Sequence, residues 1–376
     1  MTKRAITGAR VFDGLQMHND AALLLDGEIF DGIVQAQNVP ADYSIVAVAG
    51  GTVLPGFVDL QVNGGGGVMF NDVPTVAGLQ TIAQAHAQTG TRAFLPTLIT
   101  DTPDRQRAAL DAVEQAISAK VPGIIGVHLE GPHLSVAKKG AHDPALIRPM
   151  TDADERVLLD AAGRLPNVIV SVAPENTTPA QIKRLSDAGV IVSLGHTDCS
   201  FADAQAAFAA GARCVTHLFN AMSQLGSREP GLVGAALATP GISAGLIADD
   251  IHVHASSIRI ALSAKGDADE IFLVTDAMAT AGSQISEFTL NGRTVLRRDG
   301  RLTLKDGTLA GADIDFAGAV SVLTRQVGSS LTQALRMATS APARCLRKPG
   351  AAGRFVAGQQ ANAIHLDEKQ QYLGSC

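Results

Sequence analysis

The sequence predicts an α/β chain whose larger part is a (β/α)8 barrel of the TIM type and whose two ends build a small, discontinuous β-sandwich. Three observations predict it. From Thr52 onward, strand-like apolar runs alternate with helix-like segments, the pattern of a parallel sheet with crossover helices. Eight such runs can be counted, the number that closes a barrel. Both ends of the chain read instead as short strands and turns without a helical period.

In the N-terminal part, Ala5–Phe12, Asp20–Leu25 before Asp26-Gly27, and Ile29-Phe30 before Asp31-Gly32 read as hairpin material. Barrel strands are expected at Val53–Val62, Arg92–Ile99, Gly123–Leu129, Val168–Ala173, Val190–Leu194, Cys214–Leu218, Ile242–Ala248 and Ile271–Thr275. Thr102 and Thr178 stand before Pro103 and Pro179, N-caps ahead of first-turn prolines, and Ser200 and Ser256 are expected caps as well. Gly90, Gly163, Gly189, Gly211 and Gly266 are expected to close helices. After Asp276, the pairs Asn291-Gly292, Asp299-Gly300 and Asp306-Gly307 predict hairpins inserted behind the eighth strand. Helices return at about Phe316–Val327 and Leu331–Thr339, and the tail from Gly350 is expected to rejoin the N-terminal strands. The chain thus divides into a barrel, 54–343, and a β-sandwich from 1–53 and 344–376.

Composition narrows the function. With 46% hydrophobic and 18% charged residues, the chain is globular rather than disordered. A net charge of -6 argues against a nucleic-acid or membrane-surface partner but leaves room for a local basic pocket for an anion. Cys199, Cys214, Cys345 and Cys376 show neither paired metal spacing nor a disulfide framework, which fits a reducing cytosol. The start lacks the apolar centre of a signal peptide and no run has membrane length, so a cytoplasmic protein is expected.

In such a barrel, reactive groups come from the carboxyl ends of the strands. The organising stretch is Val190–Met222, where two apolar runs each end on a histidine, His196 and His217, on either side of a helix-prone segment. A lone buried histidine is more often structural than a ligand. Two at neighbouring strand ends are natural partners for one metal ion. The other strand ends add Asp59, Gln61 and Asn63; His128 and Glu130; Glu175 and Asn176; Asn220; Asp249 and His252; and Asp276. Glu130, His196 and His217 supply three protein ligands and leave a place for water, the catalytic pattern for zinc. Asp276 is placed to take a proton from water and return it to a leaving amine. Asp59 and Glu175 read as supporting or structural carboxylates, and His128 as a neighbour of the ligands. His86, His18 and His365 read as surface or structural residues.

Five segments then become recognisable: Pro55–Gly64, His128–Pro132, Gly195-His196-Thr197, Thr216–Met222 (THLFNAM) and Val274–Ala277. In order and over nearly the whole chain, they resemble the N-acetylglucosamine-6-phosphate deacetylases of the amidohydrolase superfamily. The resemblance implies a dimeric, metal-dependent barrel that hydrolyses N-acetylglucosamine 6-phosphate to glucosamine 6-phosphate and acetate in amino-sugar catabolism. It implies Glu130, His196 and His217 as metal ligands and Asp276 as general base and acid. The segment Lys138–His142 resembles the one whose histidine contacts the acetyl carbonyl, here His142 beside Ala141. Asn220 and Ala221 would contact the sugar, and Leu309-Ala310-Gly311 a later part of the substrate. Arg228 and His252 would bind the phosphate, Arg228 reaching in from the partner subunit. Where many amidohydrolases carry His-X-His after the first strand, this chain has Gln61-Val62-Asn63, and amides are poor ligands beside imidazole. One divalent metal per subunit is therefore expected, zinc first, with iron, cobalt or manganese able to serve. The alternatives are a deacetylase of a galactosamine or mannosamine derivative and a non-catalytic sugar-phosphate-binding relative.

Overall fold

The computed structural model describes residues 2–376. Eight parallel strands follow one another in chain order around a nearly closed barrel: Phe57–Val62, Thr91–Ile99, Val127–Glu130, Val168–Val172, Ile191–Leu194, Cys214–Val215, Ser243–Leu246 and Ile271–Leu273. The first and last are brought together by the bridge Val62–Ala277 and by Asp59, whose Oδ1 accepts from the backbone N–H of Thr275 at 3.3 Å. Side chains alternate as the pleat requires. Val58, Leu60, Ile169, Ile191 and Phe272 fill the barrel, whereas Phe57, Val168, Val170 and Val192 pack outward against the helices. The same alternation turns His128 and Glu130 to the inside, because Val127 and Leu129 belong to the outer layer.

The run Val53–Val62 is not one strand. It breaks at Gly56, where a Cβ would lie 2.1 Å from Arg92 Cγ. Thr52–Pro55 leaves the barrel and pairs with Ala363–Leu366 and Arg10–Phe12 in a five-stranded sheet. The expected strand Ala5–Phe12 splits likewise at Gly8, whose φ of +90° turns the chain from one sheet to the other. A four-stranded sheet holds Lys3–Thr7, Ala21–Asp26, Ile29–Gln35 and Ser44–Ala47, and Ile6, Leu23, Leu25 and Val53 form the core shared between the sheets.

Thr102, Thr178 and Ser200 cap their helices, and Gly189 ends one in the left-handed conformation. Ser256 does not cap: His254 does, its ring accepting from the Ser256 N–H, so Ser256 lies in the first turn. Gly163 lies inside the helix Asp152–Arg164 rather than beyond its end. The three turn pairs behind the eighth strand connect a four-stranded antiparallel insertion, Glu287–Leu290, Arg293–Arg298, Arg301–Leu304 and Leu309–Ala312. Asn291-Gly292 and Asp299-Gly300 both have positive φ, as two-residue hairpins prefer. Leu290, Val295, Leu302, Leu304 and Ala310 seat this sheet on Met69, Ile99 and Met278 at the carboxyl end of the barrel. No helix is long and apolar enough to cross a membrane among the described residues.

Candidate metal and substrate site

A cavity of about 540 Å³ opens at that end, in the size range of small-molecule sites. Glu130, His142, His196, His217, Asn220, Ala221, His252 and Asp276 line it, together with Ala141, Leu309 and Gly311. His217 Nε2 is 3.1 Å from Glu130 Oε1 and 3.0 Å from His196 Nε2, and His196 Nε2 is 3.2 Å from the same carboxylate oxygen. Zinc–ligand distances of about 2.0–2.1 Å put donor atoms of a tetrahedral site about 3.3 Å apart. The convergence of two imidazole nitrogens and one carboxylate oxygen therefore fits a divalent cation.

The hydrogen bonding of His196 supports the fit. His196 Nδ1 donates to the Lys138 carbonyl at 2.8 Å, which leaves the Nε2 lone pair facing the cluster. Burial works against charge on Glu130, but the His196 and His217 rings beside it outweigh burial and hold the carboxyl well below its usual range. Burial likewise disfavours a charged His217, yet Glu130 raises it above its ordinary value. His142 belongs to the same cluster, with Glu130 and His196 donor atoms within 4.8 Å of its own. Its Nδ1, however, accepts from the Thr100 N–H at 3.3 Å. Nδ1 also lies 2.8 Å from the Thr100 hydroxyl. With Nδ1 accepting from both Thr100 groups, the ring proton sits on Nε2, and burial followed by His196 pushes the ring pKa down to about 3. A neutral Nε2–H is a hydrogen-bond donor, not a metal ligand.

Asp276 faces the cluster from the eighth strand. Burial and then the neighbouring Glu130 push its pKa up to about 6. Gln61 Nε2 donates at 3.1 Å to both Glu130 Oε1 and Asp276 Oδ1, and Asn63 Nδ2 donates to Asp276 Oδ1 at 2.7 Å. The two amides therefore hold the carboxylates. Thr100, which sets the tautomer of His142, carried no signal in the sequence.

Backbone conformation marks the same residues. His196, His217 and Asp276 have φ of 48°, 30° and 49°, and Ala221 has 49°. Non-glycine residues in this region cost about 1–3 kcal/mol each and cluster at functional sites. Close approach is secured by Gly195, where a Cβ would meet Thr216 Cβ at 2.8 Å.

The supporting residues fall into place. Asp59 accepts from the N–H groups of Gln61 and Thr275 and from the Thr275 hydroxyl, so it ties the first strand to the eighth. Burial pushes its pKa up to about 7. Glu175 accepts from the Thr197 hydroxyl and the Asp198 N–H, and so props the turn after His196. His128 bonds the Leu60 carbonyl and Ser171 Oγ inside the barrel. His86 is the structural kind: it is buried and bonds the Gly64 carbonyl. His252 Nδ1 is 2.6 Å from Asp249 Oδ2, which turns its other nitrogen away from that carboxylate.

Two expected substrate residues lie elsewhere. Ala310 is fully buried in the core of the insertion, while Leu309 and Gly311 on either side line the cavity. The alternation of a strand separates them. Arg228 is exposed and does not line the cavity of its own chain. Lys138 is the only lysine or arginine lining it among the described residues, and its Nζ lies 3.2 Å from Asp198.

Residues 52–373 match the amidohydrolase family. The chain is 44% identical over 354 residues to an N-acetylgalactosamine-6-phosphate deacetylase of Shewanella sp. (strain ANA-3), covering 92% of this chain and 88% of that one. The crystal structure of N-acetylglucosamine-6-phosphate deacetylase from Pasteurella multocida superimposes with a TM-score of 0.94 at 34% identity, covering 100% of this chain and 98% of the other. A variant of the Mycobacterium smegmatis N-acetyl-D-glucosamine-6-phosphate deacetylase, solved in complex with N-acetyl-D-glucosamine 6-phosphate, has a TM-score of 0.89 at 29% identity, covering 99% and 97%.

Proposed function

The chain belongs to the amidohydrolase family, and from that premise we propose that it hydrolyses the acetamide of N-acetylglucosamine 6-phosphate, releasing glucosamine 6-phosphate and acetate. The observation that carries the reading is the meeting, in one cavity, of a metal-type donor set with a carboxylate near pKa 6 and a neutral imidazole donor. The similarity to deacetylases of hexosamine 6-phosphates over nearly the full length names the substrate class.

Glu130, His196 and His217 would hold one divalent ion, zinc being the simplest choice for this donor set. When bound, the ion acidifies water and draws electron density from the carbonyl. Asp276 takes the proton of the attacking water and returns it to the departing amine. His142 donates its Nε2–H to the acetyl oxygen as negative charge develops there. Gln61 and Asn63 keep Asp276 aimed, since both hydrogen bonds go to the same oxygen, Oδ1, and leave Oδ2 for the water. Asn220 and Ala221 face the sugar, with Leu309 and Gly311 across the cavity. His252 and Arg228 bind the phosphate, the arginine coming from the partner of a homodimer. A cytoplasmic setting goes with this reading, since all four cysteines are free thiols.

The test is acetate release by metal-loaded protein from N-acetylglucosamine 6-phosphate and from the unphosphorylated sugar. Turnover of the first and little of the second is expected; no acetate from the first overturns the reading. The galacto epimer is the second reading, and the name of the 44% identical relative is consistent with it. A kcat/KM higher for that epimer would move the assignment to it.

A further inference from the structure

His142 does not stand on a barrel strand. It lies in the long connection between the third strand, which ends at Glu130, and the helix that begins at Asp152. That connection contains a single short turn of 3-10 helix, Val136–Lys138. Its flanks are well held: Ser135 N donates to the His196 carbonyl at 2.8 Å, and Arg148 N to the Pro132 carbonyl at 3.2 Å. The middle is not. Among the described residues, hydrogen bonds reach 139–147 from elsewhere only from Thr100 and Arg293. Thr100 holds the His142 ring. Arg293 Nη2 donates to the carbonyl of Ala141, the peptide that leads into His142.

Arg293 opens the second strand of the insertion, directly behind the Asn291-Gly292 turn, and is half-buried. Ala141 also packs against the apolar core of that sheet. An arginine fork is suited to this task, because its planar donors lose little freedom when they fix an oxygen. The insertion thus does more than cover the cavity.

We infer that Arg293 is a positioning residue for the proposed reaction. By holding the Ala141 carbonyl, it fixes the peptide that carries His142 and keeps the Nε2–H aimed at the acetyl oxygen. The inference rests on the functional reading above. A displacement of about 1 Å at such a donor costs on the order of a hundredfold in rate. A partial loosening, with Thr100 still in place, should cost less.

The experiment is a double-mutant cycle with Arg293→Gln and His142→Gln, each measured for kcat and KM. Arg293→Gln is expected to lower kcat about 10- to 30-fold with KM nearly unchanged, the signature of an interaction realised in the transition state. In the His142→Gln background the same change should cost less than about threefold, because there is no longer a donor to aim. Arg293→Lys, which keeps the charge and one donor, should recover part of the rate and serves in the cycle if Arg293→Gln does not fold. Equal losses in both backgrounds, or a rise in KM with kcat intact, overturn the inference. A wild-type protein that releases no acetate overturns the functional reading instead, so the two failures are told apart.

Discussion

In the cavity, Glu130, His142, His196 and His217 are each no more than 5% exposed; His196 and His142 are oriented from outside the donor set by the Lys138 carbonyl and Thr100, while His217 Nδ1 is buried without a partner. Of the residues expected to meet the phosphate, Arg228 stands in solvent outside this chain's cavity and His252 is held by Asp249, while Lys138 is engaged by Asp198. The contrast follows from how each end is made. Parallel strands all finish at one edge, so a barrel gathers short-reach groups there without help from loops. A fixed cation for a phosphate is different: buried without its anion it would be costly. In the proposed function such a cation, Arg228, is kept on a loop and brought to the anion by a partner chain, so that the reaction end would be complete in one chain and the anion end would not.

The sharpest way to break this contrast is at the reaction end. Asp276→Asn is expected to lower kcat by about 10³, within the usual range for a positioned general base, while metal content stays unchanged by elemental analysis. A loss of less than about tenfold would move the proton transfer to another group. Metal removal tests the donor set itself. A chelator should abolish acetate release and lower the melting temperature by about 5 °C, since a ligand present at a hundred times its Kd stabilises by about 2.7 kcal/mol. Reloading should restore both with about one equivalent of metal. Close to two equivalents would show that Gln61 and Asn63 are not simply carboxylate holders.

Arg228 tests the other end. Replacing it with Gln should lower kcat/KM about 10- to 100-fold through KM, the worth of a charge-assisted hydrogen bond. The unphosphorylated sugar should be unaffected. Mixing Arg228→Gln with Asp276→Asn protein should then raise activity above either alone, because a hybrid dimer holds one site with an intact Asp276 and an intact incoming Arg228. If subunit exchange is shown by mass and no activity returns, the arginine serves its own chain and the two ends are not so different.

The same contrast explains what could be read from the residues alone. Glu130, His196, His217 and Asp276 were legible because a strand's last residues reveal both its edge and its face. The left-handed backbone at His196, His217 and Asp276 was not, because it is imposed by packing between strands rather than by local preference. Gly56 looked like part of a strand, since nothing nearby in sequence announces that Arg92 will pass within reach of its Cα. Leu309, Ala310 and Gly311 read alike in the sequence, but they alternate on a strand, so the Ala310 side chain is buried in the insertion while its neighbours line the cavity. Arg293 was invisible, because its partner Ala141 lies 152 positions away and no pattern links them.

The smallest effect concerns why the reaction end holds still. The connection that carries His142 returns through Arg148, whose carbonyl bonds the His133 ring at 3.1 Å and whose guanidinium pairs with Asp154. Asp154 also closes a capping box with Thr151 at the start of the next helix. Burial alone would raise the Asp154 carboxyl, but Arg148 and Thr151 outweigh it and hold its pKa well below the ordinary 3.8. A carboxylate with a depressed folded-state pKa contributes stability above its unfolded value, and loses it as pH falls through the folded one. Asp154→Asn should therefore cost about 1 kcal/mol at pH 7, a modest figure because solvent reaches the pair through Arg148. The variant's deficit should shrink as pH falls below about 4. Chemical denaturation of both proteins from pH 7 to pH 3 reads this directly, and a deficit that stays constant across that range would remove Asp154 from the anchor. Turnover should change by less than about twofold, since Thr100 and Arg293 still hold the residues around His142.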